Sequence, residues 1–207
     1  MQDRGKSLSD NPVNNYSDMK KIISAITVAI MAVVFSFSAQ ALPPEFEAVV
    51  GLNFSTVNYE NVGFRHSFHA GIRTIYQVPT VTPGFYVNAA ALLSLKGFKT
   101  DSISFNPYYL DIPIHAGYKY EVDDRFAMFI EGGPYVGIGL FGKCEGVDIF
   151  SDEIGYNRLD IGIGARGGVE FDKRYSISLG GDFGFLKVTD DFDAKPRNIT
   201  FSLAYKF

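Results

Sequence analysis

The sequence predicts an all-β protein: an eight-stranded antiparallel up-and-down transmembrane β-barrel behind a cleaved signal peptide. Three observations predict it. From Glu45 to the last residue, apolar and polar positions alternate with a period of two, which is the signature of strands. The connections between the alternating runs are short and long in turn, as in a meander. The polar face of those runs is crowded with charge and glycine, which suits a narrow interior better than a wetted surface. Composition agrees. Of 207 residues 46% are hydrophobic and 20% charged, which excludes a disordered chain, and the length leaves room for little more than one domain. Twelve Tyr, 19 Phe and 21 Gly with no Trp favour strands over helices. A formal net charge of −4 gives no global attraction to nucleic acid. The single Cys144 excludes a disulfide framework and a multi-cysteine zinc site.

The first 18 residues are polar and without pattern, and are expected to be a non-structural extension. Met19-Lys20-Lys21 then gives a basic start, residues 22–37 a mostly apolar run, and Ala39-Gln40-Ala41 small residues two apart. That order is a secretory signal peptide, 19–41, cut between Ala41 and Leu42. The run of about 16 apolar residues is short of the ~20 a spanning helix needs. Pro43 and Pro44 stop any helix directly after it. No cysteine follows the cut, so lipid attachment at that point is excluded. Residues 42–207 are read as one barrel domain.

Eight alternating runs follow, at roughly 45–55, 66–77, 85–97, 107–120, 125–141, 157–171, 174–186 and 197–207. In the second, Phe68, Ala70, Ile72, Thr74 and Tyr76 oppose Ser67, His69, Gly71, Arg73 and Gln77. In the fourth, Tyr108, Leu110, Ile112, Ile114, Ala116 and Tyr118 oppose Tyr109, Asp111, His115, Gly117 and Lys119. In the last, Ile199, Phe201, Leu203, Tyr205 and Phe207 oppose Asn198, Thr200, Ser202, Ala204 and Lys206. The connections 79–84, 121–124 and 172–173 are tight, whereas 55–65, 98–106, 142–156 and 187–196 are long and more polar. Eight strands joined in this way close into a barrel with no free edge. Pro113 and Pro134 fall inside the fourth and fifth runs, where each removes a ladder donor, so a bulge or kink is expected at both.

The polar face decides which side is wet. It carries Glu47, Arg73, Lys96, Asp111, Lys119, Glu131, Asp160, Arg166, Glu170, Asp182 and Lys206, six acids and five bases. It also carries glycine after glycine, which has little purpose toward solvent but makes room inside a narrow barrel. A water-borne barrel would be apolar within; this one places its ionic face in the lumen and its apolar face in lipid. The outward residues nearest the tight turns are aromatic in every strand: Phe46, Tyr76, Phe85, Tyr118 with Tyr120, Phe126, Phe171, Tyr175 and Phe207. A periplasmic-side girdle at the membrane–water interface has this form. The chain ends on Phe201, Leu203, Tyr205 and Phe207 at alternate positions. This is similar to the C-terminal signal that the barrel-assembly machinery reads during biogenesis.

Gly51-Leu-Asn-Phe54, Tyr109-Leu-Asp-Ile-Pro113 and Glu131-Gly-Gly-Pro-Tyr135, with the terminal Phe207, make the chain resemble the outer-membrane β-barrel domain family. These are the "porin family" or PorT-like small outer-membrane proteins, and the predicted barrel is of OmpA/OmpX-like size. The resemblance covers essentially all of 42–207. It implies residence in the cell outer membrane of a Gram-negative-type bacterium, with outer-membrane lipid around the barrel. Through the PorT-like members it also implies an accessory role in a secretion system. Its motifs are structural and carry no activity with them.

The remaining motifs have plain readings. Gly137-Ile-Gly139-Leu-Phe-Gly142 and Gly162-Ile-Gly164-Ala-Arg-Gly167 match G-x-G-x-x-G, but both lie within strands, whereas a nucleotide fingerprint needs a following helix. His66 and His69 are three apart and point to opposite faces of a strand, so they are no metal pair. Asp190, Asp191 and Asp193 form an acidic tip on the fourth long loop, read as solvated. Cys144 is placed in the third long loop without partners for nucleophilic work. No catalytic residue, cofactor or metal is expected. The interior of an eight-stranded barrel is just wide enough for side chains to fill, and unpaired buried charge is costly. The lumen charges are therefore expected to pair and plug the barrel. That makes the chain a structural or interaction protein acting through four extracellular loops. A narrow passive porin for small solutes is the alternative reading, and the secretion accessory a further one.

Overall fold

A computed structural model describes residues 42–58, 63–98, 105–144, 147–151, 155–189 and 194–207, together with Ser24. The expected extension (1–18), the rest of the signal peptide (19–41) and the acidic tip (190–193) lie outside the described residues. Among the described residues nine strands form, in chain order: β1 Glu45–Val57, β2 Arg65–Gln77, β3 Phe85–Leu95, β4 Asn106–Glu121, β5 Phe126–Cys144, β6 Val147–Asp148, β7 Leu159–Phe171, β8 Tyr175–Gly184 and β9 Pro196–Lys206. All pairings are antiparallel, in the order β4-β3-β2-β1-β9-β8-β7-β5, and β4 pairs back onto β5. Eight strands thus close a barrel, in which the first and last strands meet, with Val49 opposite Ala204. Closure leaves no backbone edge to satisfy in lipid.

Every expected strand is present with each end within three residues of its expected place. The two-residue β6 is additional. It folds back on Lys143 and Cys144 at the end of β5, so this hairpin continues past the barrel rim. The tight turn between β7 and β8 is a primed turn: Asp172 and Lys173 have φ of 48° and 58°, and the Arg174 N–H donates to the Phe171 carbonyl at 3.0 Å.

Of the bulge or kink expected at Pro113 and Pro134, no bulge forms. Pro113 stays in register opposite Tyr135, and Pro134 opposite Ile163. Each proline opens a gap in one ladder only: β3–β4 pairing is interrupted between Ala89 and Leu92, and β4–β5 pairing between Pro113 and Ala116. A strand residue turns its N–H to one neighbour, so a missing donor weakens one side and leaves the other intact. The one register shift between β4 and β5 falls at Tyr108/Tyr109, opposite Leu140, near the long-loop rim.

The outer surface is apolar along its height. Ile130 and Leu179 expose 67% and 62% of their surface on the isolated chain, and Val50, Leu52, Ile72, Ile163 and Leu203 lie on the same outward rows. A continuous apolar girth of this kind needs lipid against it. Phe46, Tyr118, Tyr120, Phe171, Tyr175 and Phe207 are exposed at the tight-turn end, and Tyr76, Phe85 and Phe126 half-buried among them. Phe85 pairs with Tyr118, Phe126 with Phe171, and Phe171 with Tyr175, so these rings share one level. Phe201, Leu203 and Tyr205 face outward on β9, and the Phe207 N–H donates to the Phe46 carbonyl at 3.1 Å.

A second aromatic level, unread in the sequence, lies toward the long loops. Phe54 meets His66 edge-on at 5.2 Å, Tyr108 stacks on Phe141 at 4.7 Å, and Phe183 and Phe185 are exposed. From Phe46 to Phe54 is about 26 Å of strand at ~3.3 Å per residue. At a tilt of ~40° this is roughly 20 Å of height, near the ~25 Å apolar band of a membrane barrel.

Candidate functional site: the lumen

Strand alternation sends the polar rows inward, and the narrow bore makes them meet. They fill the lumen in levels. Nearest the tight turns, the Glu170 carboxylate of β7 accepts from Lys119 Nζ of β4 at 2.8 and 3.0 Å and from Lys206 Nζ of β9 at 3.1 Å. Lys206 also reaches Glu45 at 2.9 Å. Below this triad the mouth opens into a cavity of about 520 Å³. Above it, Ile75, Tyr86 and Phe129 pack together as a small apolar plug. Ile75 and Phe129 lie on the rows of Arg73 and Glu131.

The middle level is built around Glu131, which is 4% exposed. Its Oε2 accepts from Tyr86 Oη and Asn88 Nδ2, both at 2.8 Å. Its Oε1 faces Arg73 Nη1 at 3.5 Å, His115 Nδ1 at 3.4 Å and Arg166 Nε at 3.6 Å. Arg73 in turn donates from Nε to Glu47 at 2.8 Å. Five strands contribute to this one carboxylate's surroundings, so it braces the barrel across its diameter as well as around it.

At the upper level Lys96 Nζ donates to Asp111 at 2.8 Å and faces Asp160 at 3.5 Å. Tyr135 Oη donates to Asp160 at 3.1 Å, and the Lys96 ammonium sits 4.9 Å over the Tyr135 ring. Gly137 stands between Asp111 on β4 and Asp160 on β7 in register, and a Cβ there would lie 2.8 Å from Asp111 Oδ1. The absence of a side chain is what lets both carboxylates turn to one lysine. Glycine serves rings in the same way: His69 pairs with Gly51, Tyr86 with Gly117, Phe129 with Gly168, and Tyr135 with Gly162. Asp182 is half-buried and accepts from Asn198 Nδ2 at 3.3 Å. Of the eleven charges that the sequence reading places inward, nine are buried, and Lys119 and Asp182 are half-buried.

One chain of contacts at this level joins residues far apart in sequence. Asn53 Nδ2 donates to the carbonyls of Phe68 and Leu95 at 3.1 and 3.2 Å, which leaves Asn53 Oδ1 to accept from His69 Nδ1 at 2.7 Å. His69 Nε2 is then the acceptor for the Ser202 hydroxyl at 3.0 Å. The order serine–histidine–asparagine is that of a nucleophile relay. However, all three are buried, and the void beside them is about 20 Å³, room for one water and no substrate. The relay works as a cross-brace between β1, β2 and β9, and nothing in the lumen indicates catalysis. His66, on the other face of β2, is exposed.

The long-loop end is closed by different chemistry. Val57, Tyr109, Cys144, Ile149, Tyr156, Val188 and Ala194 form a buried cluster, with Phe98, Phe105 and Phe150 packed against it. Ile149 is 0% exposed. Tyr109 Oη donates to the Asn157 carbonyl at 2.9 Å, and Arg158 lies 4.6 Å over the Phe150 ring. Cys144, expected in a loop, ends β5 and is buried in this cap. The sequence reading missed the cap because Ile149, Tyr156, Val188 and Ala194 come from irregular segments where no period marks an inward side. Three voids between triad and cap are small, about 20, 20 and 10 Å³.

Residues 27–207 match the family described as outer membrane protein beta-barrel domain. No curated protein matches the chain in sequence. Among solved structures, Neisserial surface protein A (NspA) is 14% identical with a TM-score of 0.55, covering 81% of this chain and 99% of that one. Ail, the attachment invasion locus protein of Yersinia pestis, is 15% identical (TM-score 0.45), covering 80% of this chain and all of that one. OprG from Pseudomonas aeruginosa is 9% identical (TM-score 0.43), with 78% and 95% covered.

Proposed function

The chain belongs to the outer membrane protein beta-barrel domain family and resides in the cell outer membrane, and from that premise we propose that it is an anchoring and interaction barrel. Its work is done by the four long connections, which in barrels of this kind face outward from the cell, and not by passage through the lumen. The observation that carries this reading is the continuous filling of the bore. Ion triad, apolar plug, Glu131 cluster, Lys96 cluster and apolar cap follow one another, and the voids beside the Lys96 cluster and under the cap are about 20 Å³ each. A hydrated solute has no path through such a column unless several buried ion pairs open together, which is costly.

Planar-bilayer recording on the refolded, gel-pure protein tests the reading. The expected result is no stable unitary conductance from protein whose band shifts on boiling, the mark of a closed barrel. Reproducible single-channel steps from that same material would overturn it in favour of a narrow passive pore.

A further inference from the structure

An open cavity of about 520 Å³ lies at the tight-turn mouth. Its walls join two environments. On one side are Phe85, Tyr118 and Tyr120, girdle residues that stand at the lipid boundary. On the other are charged groups of both signs. Lys119, Lys206 and Glu170 satisfy one another in the triad. Lys173 and Glu121 also line the cavity, are exposed, and make no ion pair among the described residues. Lys173 is held there by the primed turn, in a left-handed conformation that a lysine adopts at a cost.

We propose that this cavity is a phospholipid site, and that its occupant is a zwitterionic lipid with a primary ammonium headgroup drawn from the inner leaflet. Tight turns of such barrels lie on the periplasmic side, so the leaflet at this level is the one built of glycerophospholipid. The two unpaired charges divide the headgroup between them. Lys173 donates to the phosphate, and Glu121 accepts from the ammonium. The acyl chains leave past Phe85 and Tyr118, which pair in register at the girdle. An anionic lipid would satisfy Lys173 but leave Glu121 facing a headgroup it repels. A quaternary ammonium has no N–H to give Glu121.

Native mass spectrometry of the detergent-solubilised barrel tests this, with phosphatidylethanolamine, phosphatidylglycerol and phosphatidylcholine of matched chains titrated separately. The wild-type protein is expected to retain phosphatidylethanolamine best. K173Q and E121Q should each weaken that retention about fivefold, the worth of one interfacial charge. E121Q alone should leave phosphatidylglycerol retention unreduced. Both residues are exposed, so neither variant threatens the fold, and R197Q at the opposite rim should change nothing. Equal retention of the three lipids, a preference for phosphatidylglycerol, or a phosphatidylethanolamine preference that survives both variants would overturn the proposal. The anchoring role is read from conductance, so either result can fail without the other.

Discussion

At the level of Glu131 the bore is filled by Arg73, Arg166, His115, Tyr86 and Asn88 around one carboxylate, whereas at the long-loop mouth it is filled by Val57, Ile149, Tyr156 and Val188. Both regions are filled by side chains and both close the barrel, yet their chemistry is opposite. The surrounding solvent explains why. Lipid is as apolar as leucine, so within the membrane the hydrophobic effect cannot tell the two faces of a strand apart. An ionic inner face restores the contrast, and with it the register, because a slip of one residue would put charge into hydrocarbon. Beyond the rim the outside is water again, and burying apolar side chains becomes favourable in the ordinary way. The cap is a soluble-type core set on a membrane barrel.

The largest effect should come from the charged middle. Glu131→Ala removes the partner of two buried guanidinium groups and of the Tyr86 hydroxyl. Breaking a buried pair from one side costs about 3–5 kcal/mol, read as a lower midpoint for urea unfolding from phospholipid vesicles. Glu131→Gln keeps the acceptor oxygen and should lose less. If the alanine variant unfolds at the wild-type midpoint, the lumen charges specify the barrel without stabilising it, and the contrast with the cap loses its energetic half.

In the cap, Ile149→Ala should cost about 2 kcal/mol, the low end for such truncations, because walls made of loop can collapse into the space. The loss should also stay local. Limited proteolysis is expected to cut the long connections of the variant while the heat-modifiable barrel band persists. Barrel and cap unfolding together would show one cooperative unit and erase the distinction.

The same contrast governs what could be read from the sequence. Eight strands were legible, because a period of two survives any tertiary context that keeps one face ionic. Ile75 and Phe129 sat on ionic rows but read as generic strand residues, since an apolar side chain on a polar row breaks no pattern by itself. Ile149, Tyr156 and Val188 were illegible for a different reason. They lie in connections without a period, so burial there depends on how the loops fold over the mouth. The proline bulges were expected from a sound rule applied too broadly: the rule concerns a donor needed by the ladder, and each proline here withholds it from one ladder only.

Gly137→Ala probes packing inside the charged region without removing a charge. The new methyl would lie 2.8 Å from Asp111 Oδ1, the far end of a side chain able to shift. The expected cost is about 1 kcal/mol, the lower edge of the overpacking range, measured as the same urea midpoint. Its signature is coupling. In a Gly137→Ala, Lys96→Met double variant the two losses should not add, since both act on the Lys96–Asp111 contact at 2.8 Å. Simple additivity would mean that the glycine serves the backbone and not the ion pair.

The smallest effect belongs to an ion pair outside the lumen altogether. Arg125 and Asp172 join two tight turns at 2.6 Å, a shorter contact than most in the bore, yet both are exposed. Arg125→Ala should lower the urea midpoint at neutral pH only slightly, as solvent already serves both groups. What remains is a pH dependence with a definite sign. The hydrogen bond from Arg125 holds the Asp172 carboxyl below its ordinary range. A carboxyl depressed in the folded state adds stability above its unfolded value, and that increment fades as pH falls through the lowered one. In the variant the acid-side fading attributable to Asp172 should vanish, so the two midpoint-against-pH curves should converge at low pH. If Arg125→Ala instead cost as much as Glu131→Ala at pH 7, distance rather than burial would set the worth of an ion pair here, and the comparison between bore and surface would have to be rebuilt on that footing.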